Sequence, residues 1–223
     1  MRLLAIETAT EACSVALFIN GDVSERYEVI PRGHGDVVLP MVDELMAGAE
    51  LSPRQLDGIA FGRGPGAFTG VRIAAGITQG IAFGADLPVV EVSTLAALAQ
   101  GAFRTTGHTD WLAAIDARMG EVYWGAFRAV NECVQIVGDE CVAAPADVPR
   151  LAGHAWYGCG TGWASYSDAL SQRYAGAYRG VVDYSLPHAR DVADLALPRL
   201  IAGDVISADQ AIPVYLRDRV VAD

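Results

Sequence analysis

The 223-residue sequence predicts an α/β protein built from two similar lobes. Three observations lead there. Short apolar runs bounded by turn residues alternate with longer stretches of helical periodicity, as in layered sheets and helices. That pattern runs through residues 1–104, pauses at a polar, turn-like stretch over 105–110 that opens a second lobe of residues 105–223, and runs again from Trp111, ending in an extended tail from about residue 211. Finally, Ile6-Glu7 followed by Leu17-Phe18 overlays Ile115-Asp116 followed by Ala126-Phe127 without a gap. In both halves a buried strand ends in a carboxylate, turns, and returns as a second strand.

In the first lobe, residues 3–7, 13–19 and 22–29 read as strands. Asn20-Gly21 supplies a two-residue hairpin turn. The third strand alternates weakly and belongs toward a sheet edge. Residues 36–49 place Val38, Met41, Val42, Leu45 and Ala49 on one helical face, with Pro40 in the first turns, where a missing N–H matters least. Ser52-Pro53 caps a short helix. Ile59-Ala60-Phe61 is a buried strand that runs into Gly62-Arg63-Gly64-Pro65-Gly66, and a helix follows from Thr69 or Gly70 to Gly84. Residues 88–92 form a fifth strand, and Ser93 caps a helix to about residue 103.

In the second lobe, residues 111–116, 121–129 and 133–142 are strands, with turns over 117–120 and at Asn131-Glu132. Residues 145–151 read as a short helix. Residues 155–159 form a strand ending in Gly160-Thr161-Gly162, before a helix near 165–174. Residues 179–184 are irregular or a short strand. Residues 187–202 form a helix that Pro198 should kink or split. The order β-β-β-α-β-α, twice, is that of a duplicated ribonuclease-H-like unit, the actin-like ATPase-type fold shared by actin, Hsp70 and sugar kinases. In that superfamily the two strand-end acids face phosphates and metal across a cleft. Glu7 and Asp116 occupy those places, and capping of their own turns is the equal alternative.

Composition narrows the function classes. The net charge is −11 and the pI near 4.7, against gripping a nucleic-acid backbone alone. Hydrophobic residues make up 52%, enough for a sizeable core. The apolar run between Arg72 and Asp86 is glycine-rich and too short for a membrane span, and Glu7 interrupts the N-terminus too early for a signal peptide. A cytoplasmic protein follows. Cys13, Cys133, Cys141 and Cys159 form no C-x-x-C pair and read as small buried hydrophobes, while His34, His108, His154 and His188 lack ligand spacing.

Residues 58–84 carry the densest signal. Strand, glycine loop and helix is the layout of many phosphate sites. The loop fails both nucleotide fingerprints: no Gly-Lys-Ser/Thr ends it, and residues 64–70 hold one residue too many for G-x-G-x-x-G. Gly64, Gly66 and Gly160 therefore remain, with Glu7 and Asp116, as vestigial phosphate-site candidates. In the helix, Gly76, Gly80 and Gly84 recur every fourth residue beside Ile73, Ile77 and Ile81. Each interior glycine costs about 1 kcal/mol relative to alanine, so the stripe needs a compensating close approach. Tight packing on the chain's own sheet and docking of another helix both supply one. Arg63 and Arg72 flank the loop and suit an acidic partner or an internal ion pair.

The string from Gly62 to Ile73, GRGPGAFTGVRI, is not generic. With LAIETATEACSVAL from Leu4, IDARMGEVYW from Ile115, GTGW from Gly160 and PVYLR from Pro213, it closely resembles the TsaB (YeaZ) family of tRNA threonylcarbamoyladenosine biosynthesis. The resemblance implies a non-catalytic subunit related to its own partner, the catalytic TsaD. TsaD holds a metal through H-x-x-x-H, and in the matching segment Thr94 and Leu98 stand where those histidines would be. It implies a homodimer, a working heterodimer with TsaD, and recruitment of the ATPase TsaE. The complex transfers threonylcarbamoyl to N6 of adenosine 37 in tRNAs reading ANN codons, so tRNA is reached only through the complex. The interface implied comprises Val38, Met41, Val42, Leu45, Arg72, Ile73, Gly76, Ile77, Gly80, Ile81 and Gly84. No metal or cofactor is expected in the isolated chain, and the junction with TsaD is the place for a nucleotide. The alternative is an ATP-dependent small-molecule kinase using Asp116 or Glu7 to orient Mg²⁺. A metallopeptidase ranks lower, because Ser14, Ser93 and Ser165 have no evident His and acid partners in the sequence.

Overall fold

A computed structural model describes residues 1–151 and 155–217. The chain forms two compact units, the first of residues 1–97 and 187–214, the second of residues 98–186 with the described tail from Tyr215.

The first unit is a five-stranded sheet of β1 (Arg2–Glu7), β2 (Ala12–Ile19), β3 (Asp22–Val29), β4 (Gly58–Gly62) and β5 (Val89–Val92), in the order β3-β2-β1-β4-β5. The first three strands are antiparallel, and β4 and β5 add in parallel. Asn20 and Gly21 adopt the left-handed conformation that a two-residue hairpin needs. Leu4 and Ile6 of β1 share a core with two helices, α1 (His34–Gly48) and α2 (Phe68–Ala85). From α2 the core takes the small Ala74, Ala75 and Ala82, which let the helix lie close to the strands. The alternate residues Leu3 and Ala5 point to the other face, where α5 (Ala189–Ala202) packs on β1, β2 and β4.

That last contact corrects the expected lobe boundary. Residues 187–214 belong with the first unit although they follow the second in sequence. The physical reason is a polar latch at the start of α5. Ser14 donates its hydroxyl to Glu25 (2.8 Å) and accepts the Ala189 N–H (2.9 Å). Glu25 also accepts the Arg190 N–H (3.2 Å) and lies 3.2 Å from His188 Nδ1, whose ring stacks on Tyr27. Burial alone would raise the Glu25 carboxyl, but His188, the Ser14 hydroxyl and the Arg190 N–H together hold it below its ordinary value. Beyond the helix, Ile206 exchanges backbone hydrogen bonds with Val89 of β5.

The second unit repeats the sheet. Its strands are β6 (Asp110–Arg118), β7 (Glu121–Val130), β8 (Cys133–Ile136), β9 (Cys141–Ala143), β10 (Trp156–Cys159) and β11 (Tyr178–Val181), ordered β11-β10-β6-β7-β8 with β9 also on β7. Trp124, Trp156 and Trp163 pack with Leu112, Ala114 and Leu170, the last on α4 (Thr161–Arg173). Trp163 lies so close to β10 that a Cβ at Gly158 would fall 2.4 Å from its ring. Its indole N–H finds the Leu112 carbonyl at 2.8 Å.

Several expected elements differ. The strand expected over 133–142 is broken into β8 and β9 at Gly138, which is left-handed. Residues 145–151 form turns rather than a helix, and α4 starts at Thr161, four residues early. Helix α5 runs through Pro198 to Ala202. It is α4 that kinks, at Tyr166. Cys13 and Cys159 are buried as expected, whereas Cys133 and Cys141 are half-exposed. His154 and Arg219 lie outside the described residues. Arg217 is anchored, with its guanidinium on the Ala117 carbonyl (3.0 Å) and the Glu121 carboxylate (2.5 Å).

A carboxyl held below its unfolded pKa stabilises the fold above that value and loses the effect as pH falls through the folded pKa. Wild type should therefore lose stability on acidification below about pH 4.5 more steeply than Glu25→Gln. At pH 7 the variant should be weaker by about 1–3 kcal/mol in urea denaturation, the worth of hydrogen bonds to a charged group. Parallel pH curves would show that the latch contributes nothing.

Candidate functional site

Glu7 ends β1 and is wholly buried. One carboxylate oxygen accepts the Ala9 N–H at 2.7 Å, and the other accepts the Thr94 hydroxyl at 3.0 Å. Thr94 opens α3 (Thr94–Thr106), beside Ser93, whose hydroxyl accepts the Leu95 and Ala96 N–H groups as the expected cap. The carboxylate lies flat on Gly62, where an added Cβ would stand 1.9 Å from Oε2. Burial pushes Glu7 up to about 7, opposed by the hydrogen bonds from Ala9, Thr94 and Thr8.

The glycine loop closes on the chain's own backbone. A Cβ at Gly66 would fall 2.2 Å from the Ala9 carbonyl oxygen, and one at Gly70 would fall 2.0 Å from that of Thr8. Ala67 N–H donates to Ala9 O, and the Thr8 hydroxyl donates to Gly70 O, both at 2.7 Å. Gly64 is left-handed, precedes a cis Pro65, and lies against Val71 and the Val214 carbonyl. These glycines admit the β1–β2 turn at Thr8-Ala9, an intrachain cause for a motif that resembles a phosphate cradle.

In the second unit, Asp116 accepts the Arg118 N–H (2.8 Å) and pairs with its guanidinium (3.0 Å), while its own N–H donates to Thr161 Oγ1 (3.1 Å). Arg118, Met119 and Gly120 are all left-handed at this hairpin tip. A Cβ at left-handed Gly160 would fall 2.3 Å from the Ala114 carbonyl. Each acid thus holds its own turn. Among the described residues no group of three or more His, Cys, Asp or Glu converges as a metal site. Ser14 does have an acid partner in Glu25, but it is fully buried and its hydroxyl is committed to the α5 latch.

The outer face of α2 is open. Gly76, Gly80 and Gly84 are exposed, and a Cβ at any of them would meet nothing within 4 Å. Their need is therefore not packing on this chain's sheet. Phe68, Arg72, Gly76, Gly80 and Gly84 follow one another at i+4 and form a single ridge. The Arg72 guanidinium lies 3.2 Å over the Phe68 ring and donates to the Phe68 carbonyl. Phe83, beside Gly80 and Gly84, is 85% exposed. Ile73, Ile77 and Ile81 are half-buried against the core at the ridge's flank.

One expectation fails here. Val38, Met41, Val42 and Leu45 are buried in the first unit's core and offer no surface to a partner. The apolar stripe of an amphipathic helix is taken first by its own sheet. The outward face of α1 carries instead Leu39, 47% exposed, with Pro40, Asp43, Glu44 and Ala47. Phe68, Phe83 and Leu39 escaped the sequence reading. Their signal was a large apolar residue on the face opposite the core stripe.

The profile of the family described as "TsaD: tRNA N6-adenosine threonylcarbamoyltransferase" matches residues 26–161. The "tRNA threonylcarbamoyladenosine biosynthesis protein TsaB" of Escherichia coli (strain K12) is 44% identical, over 99% of this chain and 96% of its own length. The chain belongs to the TsaB family. The TsaB of Haemophilus influenzae is 41% identical over 99% of this chain and 95% of its own. The solved structure of YeaZ from Pseudomonas aeruginosa superposes with a TM-score of 0.90 at 47% identity, covering 96% of this chain and 99% of that one. The TsaD-family profile and the TsaB relatives thus match the same chain.

Two measurements separate the inward glycines from the outward ones. Gly70→Ala drives a methyl into the Thr8 carbonyl and should cost about 1–3 kcal/mol or prevent folding. Gly80→Ala meets open space and should be neutral or stabilising by up to about 1 kcal/mol. Equal effects in thermal denaturation would contradict the assignment of faces.

The pH dependence of Glu7 has the opposite sign to that of Glu25. The folded state keeps a proton that the unfolded chain releases between about pH 4.5 and 7, so wild type loses stability as pH rises through that window. Glu7→Gln cannot ionise. Its stability relative to wild type should rise by about 3 kcal/mol between pH 4 and pH 8, and a constant difference would refute the buried charge.

Proposed function

We propose that this TsaB-family chain is a non-catalytic subunit of tRNA threonylcarbamoyladenosine synthesis that docks on TsaD through the outer ridge of α2. The observation that carries the reading is a row of three exposed helix-interior glycines with no intrachain contact at any Cβ position. Each costs about 1 kcal/mol relative to alanine, and the sheet recovers none of it. A second helix brought close to this row recovers it through backbone-level packing, with Phe68, Phe83 and Leu39 as apolar contacts and Arg72 for an acidic group. The names of the relatives support the pathway, and the match to the TsaD profile supports a related chain as the partner.

In this reading TsaD performs the transfer to N6 of adenosine 37 of tRNAs reading ANN codons. TsaE joins the assembly, and the same ridge supports a homodimer when TsaD is absent. tRNA is reached through the complex, in the cytoplasm. The lack of independent catalysis is supported by the commitment of Glu7 to Ala9 and Thr94, of Asp116 to Arg118, and of the loop glycines to the Thr8-Ala9 backbone. Thr94, at the place of a TsaD metal ligand, spends its hydroxyl on Glu7. We assign no cofactor to the isolated chain, and a nucleotide belongs at the TsaD junction. The kinase alternative would need Glu7 or Asp116 released from these contacts.

Gly80→Leu should abolish co-elution with TsaD from the same organism, and self-association, while circular dichroism and melting stay those of a folded monomer. Retained binding by analytical ultracentrifugation would sink the docking role of this ridge. Omission of the chain should stop tRNA modification in a reconstituted assay.

A further inference from the structure

Glu7 is an ionisable group that neither docking nor any chemistry described above uses. It has no exposed surface, and its partners are neutral donors: the N–H groups of Ala9 and Thr8 and the Thr94 hydroxyl. The turn it grips is also the seat of α2. Ala9 O accepts the Ala67 N–H at the N-cap of α2, Thr8 Oγ1 donates to Gly70 O in its first turn, and the Thr8 carbonyl lies in the space left by Gly70. Thr94 N–H, in turn, donates to Gly64 O of the loop that leads into α2 (2.9 Å). One carboxyl group therefore sits behind every contact that fixes the start of this helix against the turn.

Its charge state changes those contacts. Ionised, both oxygens accept charge-assisted hydrogen bonds, from Ala9 and from Thr94, but the charge lies wholly buried beside neutral donors, and that cost outweighs the bonds and pulls the turn toward water. Protonated, one oxygen donates to a rotated Thr94 hydroxyl, the Ala9 bond remains as a neutral one, and the seat closes without a buried charge.

We propose that ionisation of Glu7 is a switch that loosens the Thr8-Ala9 seat of α2 and thereby weakens the docking ridge on that helix. Its consequence for docking rests on the reading above, whereas the coupling of Glu7 to α2 does not. The surroundings leave Glu7 to titrate by itself. β4 presents Gly62, the turn presents Thr8 and Ala9, α2 presents Gly70 and α3 presents Thr94, none of which changes charge. On β2 the Cys13 thiol, with Glu28 beyond it, is pushed up to about 11, by burial first and then by Glu28 and Glu7, and stays neutral. Burial pushes Glu7 to about 7, so the change falls between pH 6 and pH 8.

The test follows the side-chain carboxyl carbon of Glu7 by NMR in the full chain, together with the backbone amides of Ala9, Gly70 and Val71. All should move with one midpoint near pH 7, and the amide transition should vanish in Glu7→Gln. Thr94→Val removes a donor to the ionised form and should move the midpoint upward, which keeps the test open if the Gln variant does not fold. Titration calorimetry with TsaD should show wild-type affinity, relative to Glu7→Gln, falling about fivefold from pH 6 to pH 8. A Glu7 midpoint below about pH 5.5, α2 amides that do not follow it, or a flat affinity ratio would overturn the switch. If the amides follow Glu7 but TsaD binds neither form, the switch stands and the docking reading falls.

Discussion

The first unit depends on how closely the backbone at Thr8-Ala9 approaches the loop between β4 and α2. Two carbonyl oxygens enter space that a single methyl group would fill, and two hydrogen bonds of 2.7 Å lock the turn to the start of the helix. Glu7 anchors the same turn from behind, with its carboxylate lying on Gly62 for want of a Cβ there. Gly62, Gly66 and Gly70 are thus one device. They trade conformational entropy for contact between backbones, which no larger residue permits.

The same residue type does the reverse work three turns along. At Gly76, Gly80 and Gly84 the missing side chains leave a bare ridge facing outward, and the alanines of the opposite face fit α2 to its sheet. A helix that is small-sided on both faces is rigid only if something fixes its ends. In this chain the fixing is polar and buried. That combination suits a helix whose outer face must be presented in one position.

Much of this was legible in the sequence. The strand runs, the hairpin turn at Asn20-Gly21, the glycine stripe and the repeated strand–acid–turn pattern all stand in local composition and spacing. The two sheets share the order expected of a duplicated unit. The failures have one cause, because local periodicity does not say what covers a face. Val38, Met41, Val42 and Leu45 form a good apolar stripe whether a partner or the chain's own sheet receives it, and the sheet is nearer. Residues 145–151 read as a short helix but form turns, and the strand expected over 133–142 breaks at a left-handed glycine.

The sequence by itself determined the fold class, the family, and the fact that helix 68–85 carries an unusual load of glycine. The tertiary structure alone decided which way those glycines face, since a 3.6-residue period fixes relative but not absolute direction. It also decided that the helix at Ala189–Ala202 returns to the first sheet. That depends on a carboxylate at Glu25 meeting a helix start 164 residues further along the chain (189 − 25), a long-range contact that no local pattern encodes. Finally, it gave Glu7 its character. As a letter in the sequence it is a strand-end acid. Only complete burial beside neutral donors makes it a group that changes charge near neutral pH.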